Sequence, residues 1–471
     1  MATDFAAWSR RAAALGAVAA ALTLTMSAAA AAQEAGGRPE AFLKAVGKAF
    51  VLEHARIVDG AGGPVRDNAT VVIENGRIVS VGSSATAVPA GARHIDLSGH
   101  TILPGLVMMH EHLNYFSGAF VWDAQPGSVP KLLLAAGVTT ARTAGSEAPQ
   151  VDLNLKRRID AGRAVGPRLF VTGAYLNGEN GGFLGDTVVA SAADGREVTA
   201  YWGDRGATSM KVYSKVSLEA LQGAVSEANR RGMHVAAHLG ELSCARAAEA
   251  GVHTIEHGLT SCVRDLGVEP DQIGSFRYDS AAARAAALIA KLVAAKVTLV
   301  STPPTTALYE ASEEELAMLS PDQKARYLQL RGDPPGWMPS PEARASWDAA
   351  HRAFERHFVG AGGRLLVGAD ANDFGLVPGF ANHAAMIALV RGGFSPLQVI
   401  RFSTHDAATF LGLDGQVGRV APGYAADLLI VQGRPDQEIE DIRNVAYVFK
   451  DGQAYDPAKL RRAAQGALGQ H

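Results

Sequence analysis

The sequence has little cysteine and little net charge, and each shortage excludes a class of protein. Only Cys244 and Cys262 occur in 471 residues, too few for a disulfide framework to replace a hydrophobic core. We expect two buried free thiols, with pairing in an oxidising compartment as the alternative. The formal net charge of −3 provides no broad positive field for phosphate backbones, so nucleic acid is not an expected partner.

The first 32 residues have the pattern of a secretory signal. Arg10 and Arg11 precede an uncharged run, rich in Ala and Leu, that ends in Ala30-Ala31-Ala32 before Gln33. A short apolar run that ends in small residues favours cleavage over a retained membrane anchor, which is the alternative. The paired arginines are a weak hint of twin-arginine export. We therefore expect export to the periplasm or the medium, with no stable membrane span after cleavage.

The hydrophobic content of 48% allows a large core, and the segments that would form it change character along the chain. Residues 33–104 and 406–471 carry short β-branched segments between turn residues, and Asn75-Gly76 is a hairpin signal. Residues 105–405 alternate short apolar strands with Ala-rich helical stretches. These patterns predict an α/β fold: a (β/α)8 TIM barrel, with a small β-sandwich module formed from both chain ends.

Residues 306–350 fit no barrel unit, because they are rich in charge, proline and tryptophan. They lie between two predicted strands, VTLVST and LLVGAD. Insertions on the carboxyl face of such barrels often form lids and substrate walls. We expect a helical insertion that contributes to the pocket, and the alternative is a solvated excursion without a role.

Metal-ligand residue types recur at the ends of the predicted strands. His110 and His112 are two residues apart, so on a strand both imidazoles project from one face. Two such imidazoles are half of a zinc site, although alone they are only a moderate signal. Further strands end at the remaining candidates, Lys211, His238, His257 and Asp370. Strand ends are where these barrels assemble active sites, so the set predicts one metal-dependent site.

With these residues the chain resembles the amidohydrolase superfamily, within it the imidazolonepropionase-like and prolidase-like amide hydrolases. The resemblance extends over nearly everything after the signal and rests on LPGLVMMHEH, GATSMKVY, VAAHLGE, HTIEHG, LLVGAD and STHDAATFLGLDGQVGRVAPGYAADLLIV. It implies that CO₂ carboxylates Lys211, which then bridges two divalent ions, for which zinc is our expectation. His110, His112 and Asp370 would hold one ion, and His238 and His257 the other.

Elementary chemistry agrees with this implied site. An ammonium group cannot ligate a cation, whereas a carbamate at Lys211 can bridge two. A hydroxide shared by two divalent ions would be a nucleophile near neutral pH. Asp370 is the expected general base, which takes the proton from the hydroxide and passes it to the leaving amine.

One stretch departs from the family pattern. Relatives with dipeptidase activity often carry a histidine in Gly-Gly-His-Gly, and Phe183 occupies that place here. Three residues are candidate replacements or substrate contacts, against ordinary packing roles: Tyr115, Tyr213 and His383. Glu111 is expected to pack behind the site. The other histidines considered are given no role: His253, His351, His357 and His405.

The leading hypothesis is hydrolysis of an amide bond in a small substrate, such as a dipeptide or an N-acyl amino acid. A cyclic amide, lactone or ester hydrolase is the second reading, because the ligand set activates water without selecting the carbonyl. A non-catalytic binding protein on a disused barrel is the third, and six intact ligand positions argue against it. Substrate preference and metal identity are not determined by the sequence, and a homo-oligomer is possible.

Overall fold

The computed structural model describes residues 38–470, apart from positions 84–87, 119–120, 180, 182–184, 270–274, 304–309, 335, 337 and 374. The predicted signal peptide and Phe183 therefore lie outside the described residues.

The strands, numbered in chain order, are β1 Leu43–Ala45, β2 Ala49–Ile57, β3 Arg66–Glu74, β4 Arg77–Gly82, β5 Arg93–Asp96, β6 His100–Pro104, β7 Leu106–Glu111, β8 Asn114–Gly118, β9 Val121–Ala124, β10 Val138–Thr143, β11 Arg168–Phe170, β12 Thr172–Asn177, β13 Thr187–Val188, β14 Ser209–Val212, β15 His234–Ala237, β16 Thr254–Glu256, β17 Thr298–Ser301, β18 Arg364–Val367, β19 Leu428–Gln432, β20 Val445–Lys450 and β21 Gln453–Tyr455.

The α-helices are Val129–Ala135, Pro149–Asp160, Ala192–Asp204, Leu218–Arg231, Cys244–Glu249, Leu259–Cys262, Ala282–Ala294, Glu313–Leu316, Pro321–Gly332, Pro341–Gly360, Phe380–Arg391, Pro396–Phe402, His405–Phe410 and Pro457–Arg462. Short 3-10 helices span Pro39–Phe42, Val263–Leu266, Tyr278–Ala281 and Ile439–Arg443.

Both ends of the chain contribute to one sheet. Strands β1 to β6 and β19 to β21 form it, and within the described residues it has nine strands. Strand β19 joins the two ends, because it pairs antiparallel with both β6 and β20. The prediction that the two chain ends build one β module is supported by this sheet, and a sandwich arrangement stays a prediction.

The hairpin predicted at Asn75-Gly76 connects β3 to β4. Glu74 and Arg77 pair across it, which leaves two residues in the turn. Asn75 and Gly76 have φ angles of 49° and 81°. Positive φ at both central positions is the requirement of a type I′ turn, which Asn-Gly meets at low cost.

The middle of the chain contains parallel strands with helices between them. One sheet has the order β11-β10-β7, and another has the order β13-β12-β14-β15-β16-β17-β18. The amides of Ala369 and Asp370, just after β18, donate to the carbonyl of His110 on β7. The α/β class is confirmed, and this strand order is consistent with the predicted (β/α)8 barrel, whose closure stays a prediction.

The packing of these parallel strands explains their sequence. Every residue of β7, β10, β14 and β17 is buried. Parallel strands in α/β folds are covered on both faces, which is why apolar residues such as Val107, Met108 and Met109 of β7 occur in succession. Polar residues buried at the carboxyl ends of such strands therefore require a hydrogen-bond, ionic or metal partner.

The predicted insertion, residues 306–350, contributes a helix that contacts strand β8 and the loop after β18. Gln323, on helix Pro321–Gly332, donates to the carbonyl of Phe116 at 2.6 Å. Arg326, on the same helix, forms an ion pair of 3.7 Å with Asp373. These contacts place the helix beside the strand ends, and its role in substrate binding stays a prediction.

The prediction of two free thiols is wrong. Cys244 begins helix Cys244–Glu249 and Cys262 ends helix Leu259–Cys262, and the two are joined by a disulfide with a Cα–Cα distance of 5.3 Å. Sequence separation gave no information on this distance, since it is set by the packing of two short helices that follow neighbouring strands. In the part of the chain that the structure describes, no helix has the length and apolarity to cross a membrane.

Candidate metal centre

The six predicted ligand residues come together in one cavity. They lie at or just beyond the carboxyl ends of β7, β14, β15, β16 and β18. The cavity has a volume of about 200 Å³, and its lining includes all six: His110, His112, Lys211, His238, His257 and Asp370. Five strands therefore bring these residues together from positions up to 260 residues apart in the sequence.

His110 is held by a carboxylate behind the cavity. Its Nδ1 lies 2.6 Å from Glu256 Oε2, and both side chains are buried. Arg142 donates to Glu256 Oε1 at 2.8 Å and to the carbonyl of Met109 at 2.7 Å. Because the carboxylate accepts from Nδ1, the Nε2 atom of His110 is left with its lone pair for a metal, as in many histidine metal sites.

The charge of Glu256 is maintained by its surroundings. Burial by itself would raise the pKa of this carboxyl, but Arg142 and then Lys211 outweigh burial and hold the pKa well below its usual range. An ionised carboxylate is the form that fixes the imidazole tautomer. Arg142 and Glu256 are thus a positioning pair for His110.

Asp370 lies against the two histidines of β7. Its Oδ1 atom is 2.9 Å from Nε2 of His112 and 3.5 Å from Nε2 of His110. One ligand atom from each of these three residues lies within 4.8 Å of the others, a grouping able to hold a metal ion. Burial would raise the pKa of Asp370, yet the two histidines hold it well below its usual range. The carboxylate is therefore ionised, as a metal ligand must be.

His238 and His257 form a second pair of imidazoles. Their ring centroids are 4.6 Å apart, and the ring of His238 stacks on Tyr213 at 4.3 Å. His257 Nδ1 lies 2.8 Å from the hydroxyl of Thr302. Burial lowers the pKa of His238 to about 3 and the pKa of His257 well below its usual range. Both rings are therefore neutral near pH 7, the form that ligates metal.

Lys211 is the one lysine of this cavity lining. It lies on β14 and is 1% exposed. Burial lowers the pKa of its amine to about 8, although Glu256 and Asp370 act in the opposite direction. Only an unprotonated amine has the lone pair that attacks CO₂, so burial favours the chemistry implied by the resemblance.

Two of the six residues have unusual backbone conformations. His257 and Asp370 have φ angles of 61° and 52°, in the left-handed region that side chains with a Cβ rarely adopt. Such conformations cost about 1–3 kcal/mol each and cluster at functional sites. His257 directly follows β16 and Asp370 lies three residues after the end of β18, and both side chains line the cavity.

The three candidate substrate contacts have different surroundings. Tyr213 lines the cavity, beside Tyr175, Trp122 and Glu147. Tyr115 is 1% exposed and packs in the hydrophobic core, outside the lining. His383 has no hydrogen bond to a described residue of the lining, and its Nε2 lies 2.8 Å from the carbonyl oxygen of Ala136. Of the three, only Tyr213 faces the substrate space.

The residues expected to have no metal role are partnered elsewhere. Glu111 is buried and accepts from Asn382 at 2.6 Å, as expected of a residue packed behind the site. The remaining histidines each have a partner: His253 contacts Val235, His351 contacts Leu259, His357 contacts Tyr278 and His405 contacts Asp406.

Sequence reasoning missed Arg142, Glu256 and Glu147. Glu256 adjoins His257 within HTIEHG, and a carboxylate on a buried strand beside a predicted ligand was an available signal. Arg142 had a similar signal, as a charge within the apolar strand VTTART. Glu147 follows β10 in a loop, and nothing in its local sequence indicated that it faces the cavity.

Comparisons with known proteins indicate the family of the chain. The amidohydrolase family model matches residues 101–455. The dihydroorotase of Pelobacter propionicus is 29% identical over 159 residues, which are 32% of this chain and 37% of that protein. The chain thus spans little more than a third of that curated relative.

Solved structures match over much more of the chain. A protein of Bifidobacterium longum that is assigned as a prolidase is 26% identical, with a TM-score of 0.64 over 88% of this chain and 99% of that one. The bottromycin amidohydrolase has a TM-score of 0.69 at 22% identity over 91% of each chain, which shows a shared fold.

Proposed function

The chain belongs to the amidohydrolase family, and from that premise we propose that it hydrolyses an amide bond of a small substrate, such as a dipeptide or an N-acyl amino acid. The observation that carries the proposal is the convergence of six ligand-type residues on one cavity. Carboxyl ends of barrel strands are where such folds carry catalysis.

The residues fit two divalent ions. His110, His112 and Asp370 would hold one, His238 and His257 the other, and carboxylated Lys211 would join them. The fit rests on lone pairs: His110 has Nε2 free for a metal because Glu256 accepts from Nδ1. Nitrogen and oxygen ligands of this kind suit zinc. When bound, such ions activate water and polarise the scissile carbonyl.

Asp370 is the proposed proton carrier. It is ionised, and its side chain is 19% exposed within the cavity. An ionised carboxylate can accept the proton of the attacking water and then deliver it to the nitrogen of the departing amine. Both transfers are needed, because the amine leaves a tetrahedral intermediate only when it is protonated.

The cavity also favours one kind of amide. Apart from Lys211 and the four histidines proposed as metal ligands, the described lining has no basic side chain that would pair with a substrate carboxylate. Glu147 lines the cavity with no hydrogen bond or ion pair to any described residue. Burial and then Asp186 raise its pKa to about 7. An ammonium group of the substrate would satisfy this carboxylate, so a dipeptide with a free amine fits better than an N-acyl amino acid.

A matched substrate panel tests the proposal. Purified, metal-loaded protein is assayed with dipeptides, their N-acetylated forms, lactones and aryl esters, before and after chelation. We expect chelator-sensitive cleavage, with kcat/KM for free dipeptides at least about tenfold above that for acetylated ones, the ratio of a 1.4 kcal/mol contact. Glu147→Gln should reduce that ratio and leave the rate on acetylated substrates unchanged.

The other outcomes separate the alternatives. Cleavage of lactones, cyclic amides or esters without cleavage of linear amides would replace the proposed reaction by the second reading. A metal-loaded protein that cleaves no member of the panel would favour a binding protein. An unchanged ratio in Glu147→Gln would leave amide hydrolysis standing and refute the role of Glu147.

A further inference from the structure

A second cavity lies beside the candidate metal centre and shares no lining residue with it. Its volume is about 570 Å³, and helices Pro341–Gly360 and Phe380–Arg391 form much of its wall. Thr302 lines it and contacts His257 at 2.8 Å, so the two cavities are separated by this pair of side chains.

Basic side chains dominate this second cavity. Among the described residues that line it, four are arginines, against the single carboxylate of Asp348: Arg352, Arg356, Arg391 and Arg443. Arg391 is paired on the outside, at 3.0 Å from Glu440. Several guanidinium groups around one concave surface create a positive potential that concentrates anions.

Arg352 is the observation that points to a ligand. It is 8% exposed, and its Nε and Nη1 atoms have no hydrogen-bond partner among the described residues. Glu355 Oε2 lies 3.2 Å from Nε and forms an ion pair with it, but the contact is not aligned as a hydrogen bond. One ion pair leaves most of the five N–H donors of a guanidinium unused. Buried donors without acceptors are costly, and a bound oxyanion would supply the acceptors.

Apolar side chains on both helices form another part of the cavity wall. Trp347, on the same helix as Arg352, is 6% exposed, and Ala384, Ile387 and Ala388 lie on the facing helix. Sites for small organic ligands combine apolar walls with a few convergent polar groups. Inorganic ions would leave this wall in contact with water.

We propose that this cavity, between helices Pro341–Gly360 and Phe380–Arg391, binds a small organic oxyanion with an aromatic or aliphatic body. The arginines contact the anionic group, and Trp347 packs against the body. The site is separate from the substrate cavity, so its ligand is bound without being hydrolysed.

The test is calorimetric titration of the metal-loaded protein with benzenesulfonate, which coordinates divalent ions weakly, and with its neutral analogue methyl phenyl sulfone. We expect saturable binding of the sulfonate, weaker binding at higher salt, and no binding of the sulfone. Arg356→Gln combined with Arg443→Gln should weaken binding at least about tenfold, since each removes a charge-assisted contact. Both residues are exposed, so folding should be preserved.

Arg205→Gln, an exposed arginine outside the cavity, is the matched control and should bind as the wild type does. Melting curves report whether each variant is folded. The proposal is overturned if the sulfonate shows no saturable binding, if the sulfone binds equally well, or if the folded double variant keeps the affinity of Arg205→Gln.

Discussion

Replacing Glu256 by glutamine is the sharpest perturbation of the proposed centre that leaves every ligand in place. The side chain keeps its shape but loses the charge that accepts from His110 Nδ1 at 2.6 Å and from Arg142 at 2.8 Å. Charge-assisted hydrogen bonds are worth about 1.5–3 kcal/mol each. Changes to groups that orient metal-bound histidines typically cost about 10–100-fold in metal affinity or activity.

Stability should fall as well, because Arg142 would keep a buried charge without its carboxylate. Breaking a buried pair costs about 3–5 kcal/mol. Arg142 retains its contacts with Met109 and Thr254, so we expect the lower end of that range, about 3 kcal/mol. Chemical denaturation measures this loss, and titration against a competing chelator measures metal affinity.

Glu197→Gln, at an exposed position of helix Ala192–Asp204, is the control and should change neither quantity. If folded Glu256→Gln bound metal and turned over substrate as the wild type does, Glu256 would not position His110 and our description of the centre would be wrong.

Three further predictions follow from the proposed site, the fold and the sequence. Asp370→Asn should keep at least one metal ion while its turnover falls by about 10²–10⁴-fold. Lys211→Ala should lose both metal and turnover, and a small carboxylate should restore part of the turnover. If Asp370→Asn kept more than about a tenth of the wild-type rate, Asp370 would not be the general base. Burial, opposed by a hydrogen bond from Ser146, raises the pKa of Asp152 to about 7. The contribution of Asp152 to stability is therefore greatest below pH 3.8 and declines as the pH rises to about 7. Asp152→Asn should raise the midpoint of thermal unfolding more at pH 8 than at pH 4, and equal shifts at the two pH values would contradict this. Mass spectrometry of protein from the native host should find a mature N-terminus near Gln33, and membrane-embedded protein that retains residues 1–32 would contradict the predicted export.

Much of the candidate site could be predicted from sequence because strands have simple periodicity. His110 and His112 share a face through their spacing of two, and Lys211 and Asp370 stand at the ends of apolar runs. Parallel strands bring their carboxyl ends to one side, so residues at those ends meet whatever their distance in sequence. The side of the fold on which the site lies therefore follows from local pattern.

The contacts that support the metal ligands depend on tertiary packing and could not be predicted from the sequence. Nothing in the sequence gives the 5.3 Å between the Cα atoms of Cys244 and Cys262, or the contact of Arg142 with Glu256. The position of Tyr115 and His383 outside the cavity lining could not be predicted either, since their polar groups suit a pocket or the core equally well. Their role as substrate contacts stays a prediction. Side-chain direction at irregular positions depends on tertiary structure, which a single sequence pattern does not encode.

Metal content measured together with turnover tests the central claim most directly. Protein purified without added chelator is analysed by inductively coupled plasma mass spectrometry and assayed on a dipeptide panel, then stripped and reloaded with zinc. We predict about two divalent ions per chain, loss of amide hydrolysis on stripping, and its return on reloading. Full activity in stripped protein would contradict metal dependence, and one ion per chain with activity undiminished by further metal would contradict the bridge at Lys211.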